Sequence, residues 1–507
     1  MRSFISDLLL QQLAEPSSEA MYKRLYRHLT ASIRSARIAP GQRLPSSREL
    51  AEELGIARNT VVSVYHQLLC EGFTESRVGN GTFVSEQQQD VYPASVLEQT
   101  DYRPGWLSAQ LSERGNRIVE EAPASPSEWG AFMPGVPDVE QFPHATFSRL
   151  LRQAWRAPMP EMLSYSQGGG LKWLREELAA YLGIARSVQC DPDQIIITEG
   201  VHQAIDLVTR MLGSPQDVAW VEDPGYWGAR TILAANGIST VPIPVDAHGM
   251  CIPPAASEPT PKFIFVTPSH QYPLGMVMSL DRRRRLIRLA RHQGSWIIED
   301  DYDSEFRFGG LPVPALQGLE PNAPVIYMGT FSKTMYPGLR LSYVVLPKVL
   351  ASALKAAHTT LYREGRLLTQ AAVAAFISEG HYTSHILRMR KAYAGRRRML
   401  VSLIERRLGP GWLTPEADNA GLHLVVSLPE TLPDTRLVEL ARSRGILTRS
   451  LSRYYHQAGA ARQGLLLGYA CVPEHQIIQQ FEVLLDCIAQ VMQDGASGAG
   501  RVTSASP

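Results

Sequence analysis

The chain has 507 residues, 44% of them hydrophobic and 20% charged, and a formal net charge of +1. This length exceeds one typical domain and allows a large buried core, while a charge so close to neutral excludes a uniformly basic coat for nucleic acid and leaves a local basic face open. The five cysteines are scattered, with neither the spacing of a disulfide framework nor a CxxC metal site, which favours a reducing cytosol.

The first apolar segment, residues 4–10, is short and is interrupted by Asp7. A signal peptide or a membrane span needs a longer uninterrupted apolar run. We therefore expect this segment to form an amphipathic element that packs on its own protein.

Two short helices with a tight turn between them are predicted next. Ser46 is a suitable N-cap, Glu49 completes a capping box, and Gly55 can end the first helix. The second helix runs from about residue 58 to residue 69. Its apolar residues recur at helical spacing and predict one buried stripe: Val61, Val64, Tyr65, Leu68 and Leu69. This pattern is typical of a helix-turn-helix, whose second helix enters the major groove of DNA.

A β-wing is predicted after the second helix. A strand-like stretch reaches Ser76, and Asn80-Gly81 is a hairpin-turn signal. Residues 20–85 carry nine Lys and Arg against five Glu, an excess of four positive charges. Such an excess lends modest support to a DNA-binding face, because many solvated helices carry as much.

The residues expected to contact DNA lie on the two helices, on the turn before them and on the wing. Arg58 and Asn59 open the recognition helix and can reach base edges, whereas Arg48 and Arg77 are expected to touch phosphates. The full set is Arg43, Ser46, Ser47, Arg48, Arg58, Asn59, Thr60, Ser63, Arg77, Gly79 and Gly81.

Composition shifts divide the chain into four predicted parts. We assign residues 18–86 to the winged helix-turn-helix, residues 87–129 to an extended linker punctuated by prolines, and residues 130–494 to a large domain. The linker can hold short helical pieces. The last segment, residues 495–507, is rich in Gly, Ser and Ala and is expected to be disordered.

Lys333 carries the strongest chemical signal in the large domain. Asp300 stands 33 residues before it and Arg340 seven residues after it, with Tyr302 close to the aspartate. A lysine that forms a Schiff base with pyridoxal 5′-phosphate (PLP) needs a carboxylate that keeps the pyridine nitrogen protonated. It also needs a phenol for the ring hydroxyl and an arginine fork for the phosphate. The complete set indicates a PLP site.

A phosphate cradle is predicted where a strand turns into a helix at Gly200, Val201 and His202. The free amides of a helix N-terminus bind anions. Taken alone, this stretch is an ordinary strand-to-helix turn. Together with Thr330 and Ser332, which precede Lys333, it favours phosphate binding.

The chain resembles the MocR family of PLP-dependent transcriptional regulators over most of its length. Residues 20–85 resemble the winged helix-turn-helix of the GntR superfamily, and residues 130–490 resemble a fold-type-I aminotransferase. The resemblance implies an α+β head followed by an α/β large domain with a small C-terminal subdomain. It also implies that Tyr226 stacks on the pyridine ring. Tyr165 would reach the phosphate of a neighbouring subunit in a homodimer with shared sites.

Two departures from the family pattern lie in the turn regions. Ala57 stands where the family usually has a serine, and losing an N-cap hydroxyl typically costs about 1 kcal/mol. Tyr272 replaces the asparagine that would bond the ring oxygen.

His270, two residues earlier, is read as a structural or cofactor-lining residue in preference to a catalytic base. The basic run 281–285 is read as a solvated helix face.

A third departure concerns the substrate carboxylate. Amino-acid aminotransferases hold it with an arginine in a C-terminal strand, and Leu466 stands at that position here. An α-carboxylate would lose an ion pair that can be worth a few kcal/mol in a desolvated site. The sequence leaves four arginines open as substitutes or as residues of undetermined role: Arg230, Arg449, Arg453 and Arg462.

Three functions are compatible with these residues. The favoured one is a transcriptional regulator that binds promoter DNA and uses PLP to sense a small amine, or senses PLP itself. The alternative is a working aminotransferase with a DNA-binding appendage. A repressor with a degenerate domain and no cofactor is disfavoured, because Lys333, Asp300, Tyr302 and Arg340 are all present.

Overall fold

The computed structural model describes residues 3–13, 18–77, 79–86, 111–121, 130–164, 168–254, 257–309, 313–363, 365–414, 419–456, 459 and 461–502. The chain divides into two compact units, Met1–Gln110 and Leu111–Pro507. Most of the predicted linker, residues 87–129, lies outside the described residues. Its described part contains a helix, α5, at Glu113–Glu121.

The described part of the first unit contains four helices and a two-stranded sheet: α1 Phe4–Leu13, α2 Met21–Arg34, α3 Ser47–Leu54, α4 Arg58–Cys70, β1 Thr74–Arg77 and β2 Gly81–Val84. One apolar core collects side chains from α1 to α4 and from the wing, among them Leu9, Leu25, Leu50, Val64 and Val84. The first apolar segment therefore packs on its own unit, as the sequence predicts.

The helix ends around the turn follow the predicted capping chemistry. The Ser46 hydroxyl accepts a hydrogen bond from the Glu49 amide at 3.2 Å, and the Glu49 carboxylate accepts one from the Ser46 amide at 2.9 Å. Gly55 ends α3 in the left-handed conformation with φ 68°. Ala57 caps α4 without a side-chain hydrogen bond. Leu69 is 43% exposed, so its placement in the buried stripe was wrong: the position lies at the edge of the apolar face.

The wing is an antiparallel hairpin in which Thr74 pairs with Val84 and Arg77 pairs with Gly81. Gly79 and Gly81 both have positive φ, 78° and 104°. Glycine adopts this backbone conformation without the steric cost of a Cβ atom. The turn therefore lies between Arg77 and Gly81, slightly earlier than the predicted Asn80-Gly81 position.

The second unit is built on an eight-stranded sheet in the order β3-β10-β9-β8-β7-β4-β5-β6. Neighbouring strands from β9 to β5 are parallel, whereas β10 is antiparallel to both β9 and β3 and β6 is antiparallel to β5. The strands are β3 Ile195–Thr198, β4 Val218–Asp223, β5 Ser239–Asp246, β6 Gly249–Met250, β7 Phe263–Val266, β8 Trp296–Asp301, β9 Val325–Thr330 and β10 Ser342–Val345.

Helices cover both faces of this sheet, as a mostly parallel sheet requires. Alternate residues along one strand face opposite ways. Ile298 of β8 therefore packs with the helices at Val201–Leu212, Trp227–Ala235 and Lys348–Tyr362, while Ile297 packs with the helix at Leu280–Gln293. The helices before the C-terminal region are α6 His144–Arg156, α7 Lys172–Arg186, α8 Val201–Leu212, α9 Trp227–Ala235, α10 Leu280–Gln293, α11 Lys348–Tyr362, α12 Leu367–Ser378 and α13 His381–Arg407. None of the described helices is both long and apolar enough to span a membrane.

A small antiparallel sheet in the order β11-β13-β12 forms the C-terminal region with two helices. Its elements are β11 His423–Ser427, α14 Asp434–Ser443, β12 Arg449–Ser450, β13 Gly464–Gly468 and α15 Glu474–Val502. The helix α15 continues to Val502, into the predicted tail 495–507. Extending a helix already anchored by packed residues such as Phe481 and Leu484 is cheaper than starting one, which accounts for the difference.

Candidate cofactor site and DNA-binding face

The carboxyl ends of several strands meet at one edge of the large sheet. The strands β4, β7, β8 and β9 are parallel, and β3 points the same way because β10 is antiparallel to both β3 and β9. Asp300 lies at the end of β8, Thr330 ends β9 and Gly200 follows β3. Open α/β sheets bind ligands at such edges, so three predicted site residues share the expected place.

Lys333 is half-buried just beyond β9, and its Nζ donates a hydrogen bond to the carbonyl oxygen of Gly135 at 2.8 Å. Burial lowers the pKa of this amine, while the carboxylates of Asp303 and Asp300 act in the opposite direction. A lowered pKa leaves more of the lysine neutral, which is the form that attacks an aldehyde.

Asp300 is a buried carboxylate close to Lys333. Burial, and then the neighbouring Asp301, raise the pKa of Asp300 to about 7, and the charge of Lys333 acts against that rise. A carboxylate buried in this way is stabilised by a cationic partner. A protonated pyridine nitrogen fits this requirement.

The predicted phosphate residues converge around the start of α8. Arg340 donates a hydrogen bond to the Glu199 carbonyl at 3.1 Å, and a Cβ atom on Gly200 would lie only 2.8 Å from the Arg340 guanidinium. The cradle therefore depends on a glycine at residue 200, whose φ is 96°. Val201 and His202 form the first turn of α8, which supplies free amides for an anion.

Thr330 and Ser332 complete this side of the site. The Thr330 hydroxyl accepts a hydrogen bond from the Ser332 amide at 3.1 Å and lies 2.8 Å from the Ser342 hydroxyl, which donates to it. These contacts fix the strand end that leads into Lys333.

Tyr226 lies beside two aromatic neighbours at the start of α9. Its hydroxyl is 2.6 Å from His202 Nε2, and its ring centre is 6.1 Å from that of Tyr272 in an edge-to-face arrangement. Burial and the charge of Arg340 lower the pKa of His202, which favours a neutral imidazole. The hydroxyl of Tyr272 lies 2.9 Å from that of Tyr454.

Tyr302, a predicted site residue, makes a contact with His270 that was not predicted from the sequence. His270 Nδ1 lies 2.8 Å from the Tyr302 hydroxyl and 3.1 Å from a carboxylate oxygen of Asp303. All three side chains are buried. Asp303 follows Tyr302 directly in the sequence, but nothing in the spacing indicates that it faces His270.

Leu466 is fully buried in β13, in an apolar cluster with Val425, Leu451 and Tyr454. Arg449 of β12 is its partner across the sheet. The other three arginines left open by the sequence occupy different positions. Arg453 is exposed, Arg462 donates a hydrogen bond to the Tyr455 hydroxyl at 3.0 Å, and Arg230 lies in α9.

The interpretation of residues 281–285 as a solvated helix face was wrong for Arg283, which is 1% exposed. Its guanidinium donates to the carbonyl oxygens of Met278, Pro314 and Pro268 at 2.9, 2.7 and 2.5 Å. Periodicity alone could have shown it, because Arg283 shares a helix face with the buried Leu286, Ile287 and Ala290. Three carbonyl acceptors stabilise the charge, so this arginine is structural.

The predicted DNA-contacting residues lie on exposed parts of the first unit. Arg58, Asn59 and Ser63 are exposed on α4, whereas Val61 and Val64 of the same helix are buried in the core. Arg43, Ser46 and Arg48 are exposed before and within α3, and Thr60 and Ser47 are half-buried. The recognition helix therefore presents the predicted polar face to solvent.

Arg77 differs from the other predicted DNA contacts, because its charge is already paired. The guanidinium lies 2.5 Å from the Glu75 carboxylate and 3.2 Å from that of Glu86, and it stacks over the Phe83 ring at 4.7 Å. Two carboxylates compete with a phosphate for this arginine. Its contribution to phosphate binding is therefore expected to be smaller than the sequence suggests.

Tyr165, predicted to reach a neighbouring subunit, lies outside the described residues.

Two family models match the two units of the chain. "Bacterial regulatory proteins, gntR family" matches residues 21–84, and "Aminotransferase class I and II" matches residues 138–478. The second match covers well over half of the chain.

Several curated proteins are similar over nearly the whole length. The probable rhizopine catabolism regulatory protein MocR of Rhizobium meliloti is 38% identical, covering 96% of this chain and 97% of the relative. The pyridoxine biosynthesis transcriptional regulator PdxR of Corynebacterium glutamicum is 31% identical over 85% and 88% of the two chains. The transcriptional regulator TauR of Rhodobacter capsulatus is 32% identical over 91% and 95%.

Solved aminotransferase structures share the fold of the second unit. An archaeal alanine:glyoxylate aminotransferase matches with a TM-score of 0.67 and 22% identity, over 75% of this chain and 98% of that one. The α-aminoadipate aminotransferase LysN of Thermus thermophilus, complexed with N-(5′-phosphopyridoxyl)-L-leucine, matches with a TM-score of 0.65 and 24% identity, over 75% and 96%.

Proposed function

Because the chain belongs to the family of gntR-type transcriptional regulators that carry an aminotransferase class I and II domain, we propose that it links amine binding in its second unit to promoter binding by its first. The chain is a DNA-binding regulator, and its cofactor is PLP. The observation that carries the proposal is the meeting of Lys333, Asp300 and the Gly200 cradle at one sheet edge, in a chain that also exposes a recognition helix.

Six residues are assigned to cofactor binding. Lys333 would carry the reactive carbon, Asp300 would pair with the pyridine nitrogen, and Tyr302 would bond the ring oxygen. Tyr226 would cover the ring, and Arg340 with Gly200 would hold the phosphate. When bound, PLP supplies an aldehyde carbon that reacts reversibly with amines and a ring that withdraws electrons. The half-buried position of Lys333 limits water at the reacting atom.

The absence of an arginine at residue 466 favours sensing over general transamination. A buried leucine cannot pair an α-carboxylate, and an unpaired buried carboxylate costs roughly 1–3 kcal/mol or more. The effector we propose is a small amine whose acidic group, if it has one, lies away from the α-carbon. PLP itself remains a second candidate effector. The relative PdxR is named as a transcriptional regulator of pyridoxine biosynthesis, which supports this second candidate. The relative TauR is named as a transcriptional regulator.

The proposed signal depends on two arrangements of the protein. A ligand shifts DNA affinity only to the extent that it binds one arrangement better than the other. We propose a homodimer in which Tyr165 contributes to the partner's phosphate site. Two recognition helices in one dimer would then read a site with two half-sites.

A spectral titration tests this function. The PLP-loaded protein should absorb visible light, and amines should change that absorption without sustained turnover. The panel should contain α-amino acids, ω-amino acids, sulfonates and dipeptides, with a 2-oxo acid present in parallel samples. Rapid multiple-turnover conversion of an ordinary α-amino acid would favour the aminotransferase alternative, which the retained Lys333, Asp300, Tyr302 and Arg340 keep open.

A further inference from the structure

A chain of three buried polar side chains ends at the proposed cofactor site. His270 Nδ1 lies 2.8 Å from the Tyr302 hydroxyl and 3.1 Å from Asp303 Oδ2. The side chains of His270 and Asp303 are 3% and 0% exposed, so water does not compete for these contacts. His270 Nδ1 therefore lies within hydrogen-bond distance of two oxygens.

The chemistry of the three groups decides where the protons lie. A carboxylate only accepts hydrogen bonds, so the contact with Asp303 requires the proton on His270 Nδ1. With Nδ1 protonated, the Tyr302 oxygen also faces an N–H donor and accepts from it. The hydroxyl proton of Tyr302 then points away from His270, and Tyr302 can donate it to another acceptor. A carboxylate that fixes a histidine tautomer in this way is a common arrangement.

The space that His270 occupies depends on a glycine beside it. Gly421, with φ 82°, lies so close that a Cβ atom there would be 2.0 Å from His270 Cε1. The ring of His423 is centred 5.6 Å from that of His270, and its Nε2 lies 2.9 Å from the Pro273 carbonyl oxygen. Burial, and then the charge of His270, lower the pKa of His423 to about 4, so His423 is neutral at ordinary pH.

The Tyr302 proton matters because a second donor is missing. Tyr272 stands where the aminotransferase pattern has an asparagine for the ring oxygen, and its hydroxyl lies 2.9 Å from the hydroxyl of Tyr454. We propose that Asp303 and His270 are positioning residues that hold the Tyr302 hydroxyl proton toward the ring oxygen of the cofactor. This inference rests on the proposed binding of PLP by Lys333.

Asp303 would affect the pKa of the bound cofactor in two opposite ways, through its own charge and through the orientation of the Tyr302 proton. The titratable groups that act on Tyr302 are Asp303, Asp300, Tyr272 and Glu222. The charged groups that act on Lys333 are Asp303 and Asp300. His270 also faces His423. Removing the negative charge of Asp303 by itself destabilises a proton on the lysine-bound nitrogen and lowers the pKa of the bound cofactor. A donor to the ring oxygen draws off its negative charge, so losing that donor raises the same pKa.

The test is a pH titration of the visible absorption of the full-length, PLP-loaded protein. We expect Tyr302→Phe and His270→Leu to raise the spectral pKa by similar amounts, about one unit, which corresponds to one hydrogen bond to a charged group. Asp303→Asn should raise it in the same direction. His270→Asn, whose amide nitrogen can replace Nδ1 as the donor, should restore a value near that of the wild type.

Each outcome has a defined meaning. A lowered spectral pKa in Asp303→Asn would show that Asp303 acts through its charge alone and would overturn the inference, as would an unchanged pKa in His270→Leu. If His270→Leu does not retain its cofactor, the other two variants decide. The inference then requires that Asp303→Asn raises the spectral pKa and that His270→Asn keeps it near the wild-type value. A wild-type protein without any PLP-dependent absorption would contradict the proposed function itself, whereas absorption that titrates identically in all variants contradicts only this inference.

Discussion

Arg449 stands directly opposite Leu466 in the antiparallel pair of β12 and β13. Opposite residues of such a pair present their side chains on one face of the sheet, with Cβ atoms about 4.5–5.5 Å apart. Burial raises the pKa of both Tyr272 and Tyr454, and the positive charge of Arg449 opposes that rise. A cation thus lies beside the tyrosines of the proposed site, one strand away from the position that aminotransferases use.

Replacing this cation should change which amines bind. We expect Arg449→Leu to weaken binding of ω-amino acids and aminosulfonates about tenfold or more, because a hydrogen bond to a charged group contributes about 1.5–3 kcal/mol. Simple alkylamines should bind as they do to the wild type. Spectral titration with both classes measures the difference, and Arg453→Leu, at an exposed residue, is the matched control. Equal weakening of both classes would indicate that Arg449 has only a structural role.

The lysine assignment is tested by Lys333→Ala. Borohydride reduction should fix the cofactor covalently to the wild type and not to the variant, because the variant lacks the amine that bonds the cofactor carbon. Mass spectrometry of the reduced protein measures the adduct. Circular dichroism controls for folding. An undiminished adduct in Lys333→Ala would show that another amine carries the cofactor.

The recognition helix is tested by Arg58→Ala and Asn59→Ala. Both should lower specific promoter affinity and reduce discrimination between sequences, by about 1–3 kcal/mol for a residue that contacts a base edge. Arg48→Ala should instead weaken binding to all sequences and flatten its salt dependence. Arg77→Ala should have the smallest effect, since Glu75 and Glu86 already pair its charge. Wild-type binding by all four variants would contradict the assignment of the DNA-binding face.

Two substitutions at helix ends should have opposite effects on local stability. Ser46→Ala removes the capping box of α3 and should lower its local stability by about 1 kcal/mol, while Ala57→Ser adds a missing cap to α4 and should raise stability by up to that amount. Amide hydrogen exchange of the two helices in the full-length protein measures both. Faster exchange of α4 in Ala57→Ser would show that the added hydroxyl does not cap the helix.

A buried histidine should make stability depend on pH. Burial, and then the charge of Arg388, lower the pKa of His385 to about 4. The unfolded chain has a histidine pKa of about 6.5, so the contribution of neutral His385 is complete above that pH and is lost as the pH falls toward 4. We expect the difference in thermal midpoint between the wild type and His385→Leu to shrink over this range. A difference that is constant with pH would contradict the lowered pKa.

Local signals made much of the fold predictable from the sequence. The capping box at Ser46 and Glu49, the αL glycine at residue 55 and the apolar spacing of Val61, Val64 and Leu68 each depend on neighbours within one or two turns. For the same reason the strand-turn-helix at Gly200 was found. The offsets of Asp300 and Arg340 from Lys333 added the family resemblance.

Contacts between distant segments were not predictable in this way. His270 meets Asp303 because the sheet brings the ends of β7 and β8 together. Arg186, the last residue of α7, meets Asp301 of β8 at 2.7 Å although 115 residues separate them. Arg283 was placed on a solvated face because a run of four arginines is usually solvated. Its helical spacing indicated burial, but its carbonyl partners Pro268 and Pro314, 15 and 31 residues away, were not predictable. Arg77 has one local partner, Glu75 two residues earlier on the same strand, and one partner, Glu86, that follows the other strand of the wing.

The most direct test of the account is the affinity of the PLP-loaded protein for its promoter, measured as the amine concentration is raised, for the wild type and for Lys333→Ala. An amine that changes the visible spectrum should shift the DNA affinity of the wild type and leave that of Lys333→Ala unchanged, because only differential binding to two arrangements can transmit the signal. A wild-type affinity that does not respond to any spectrally active amine, or a response that persists in Lys333→Ala, would contradict it.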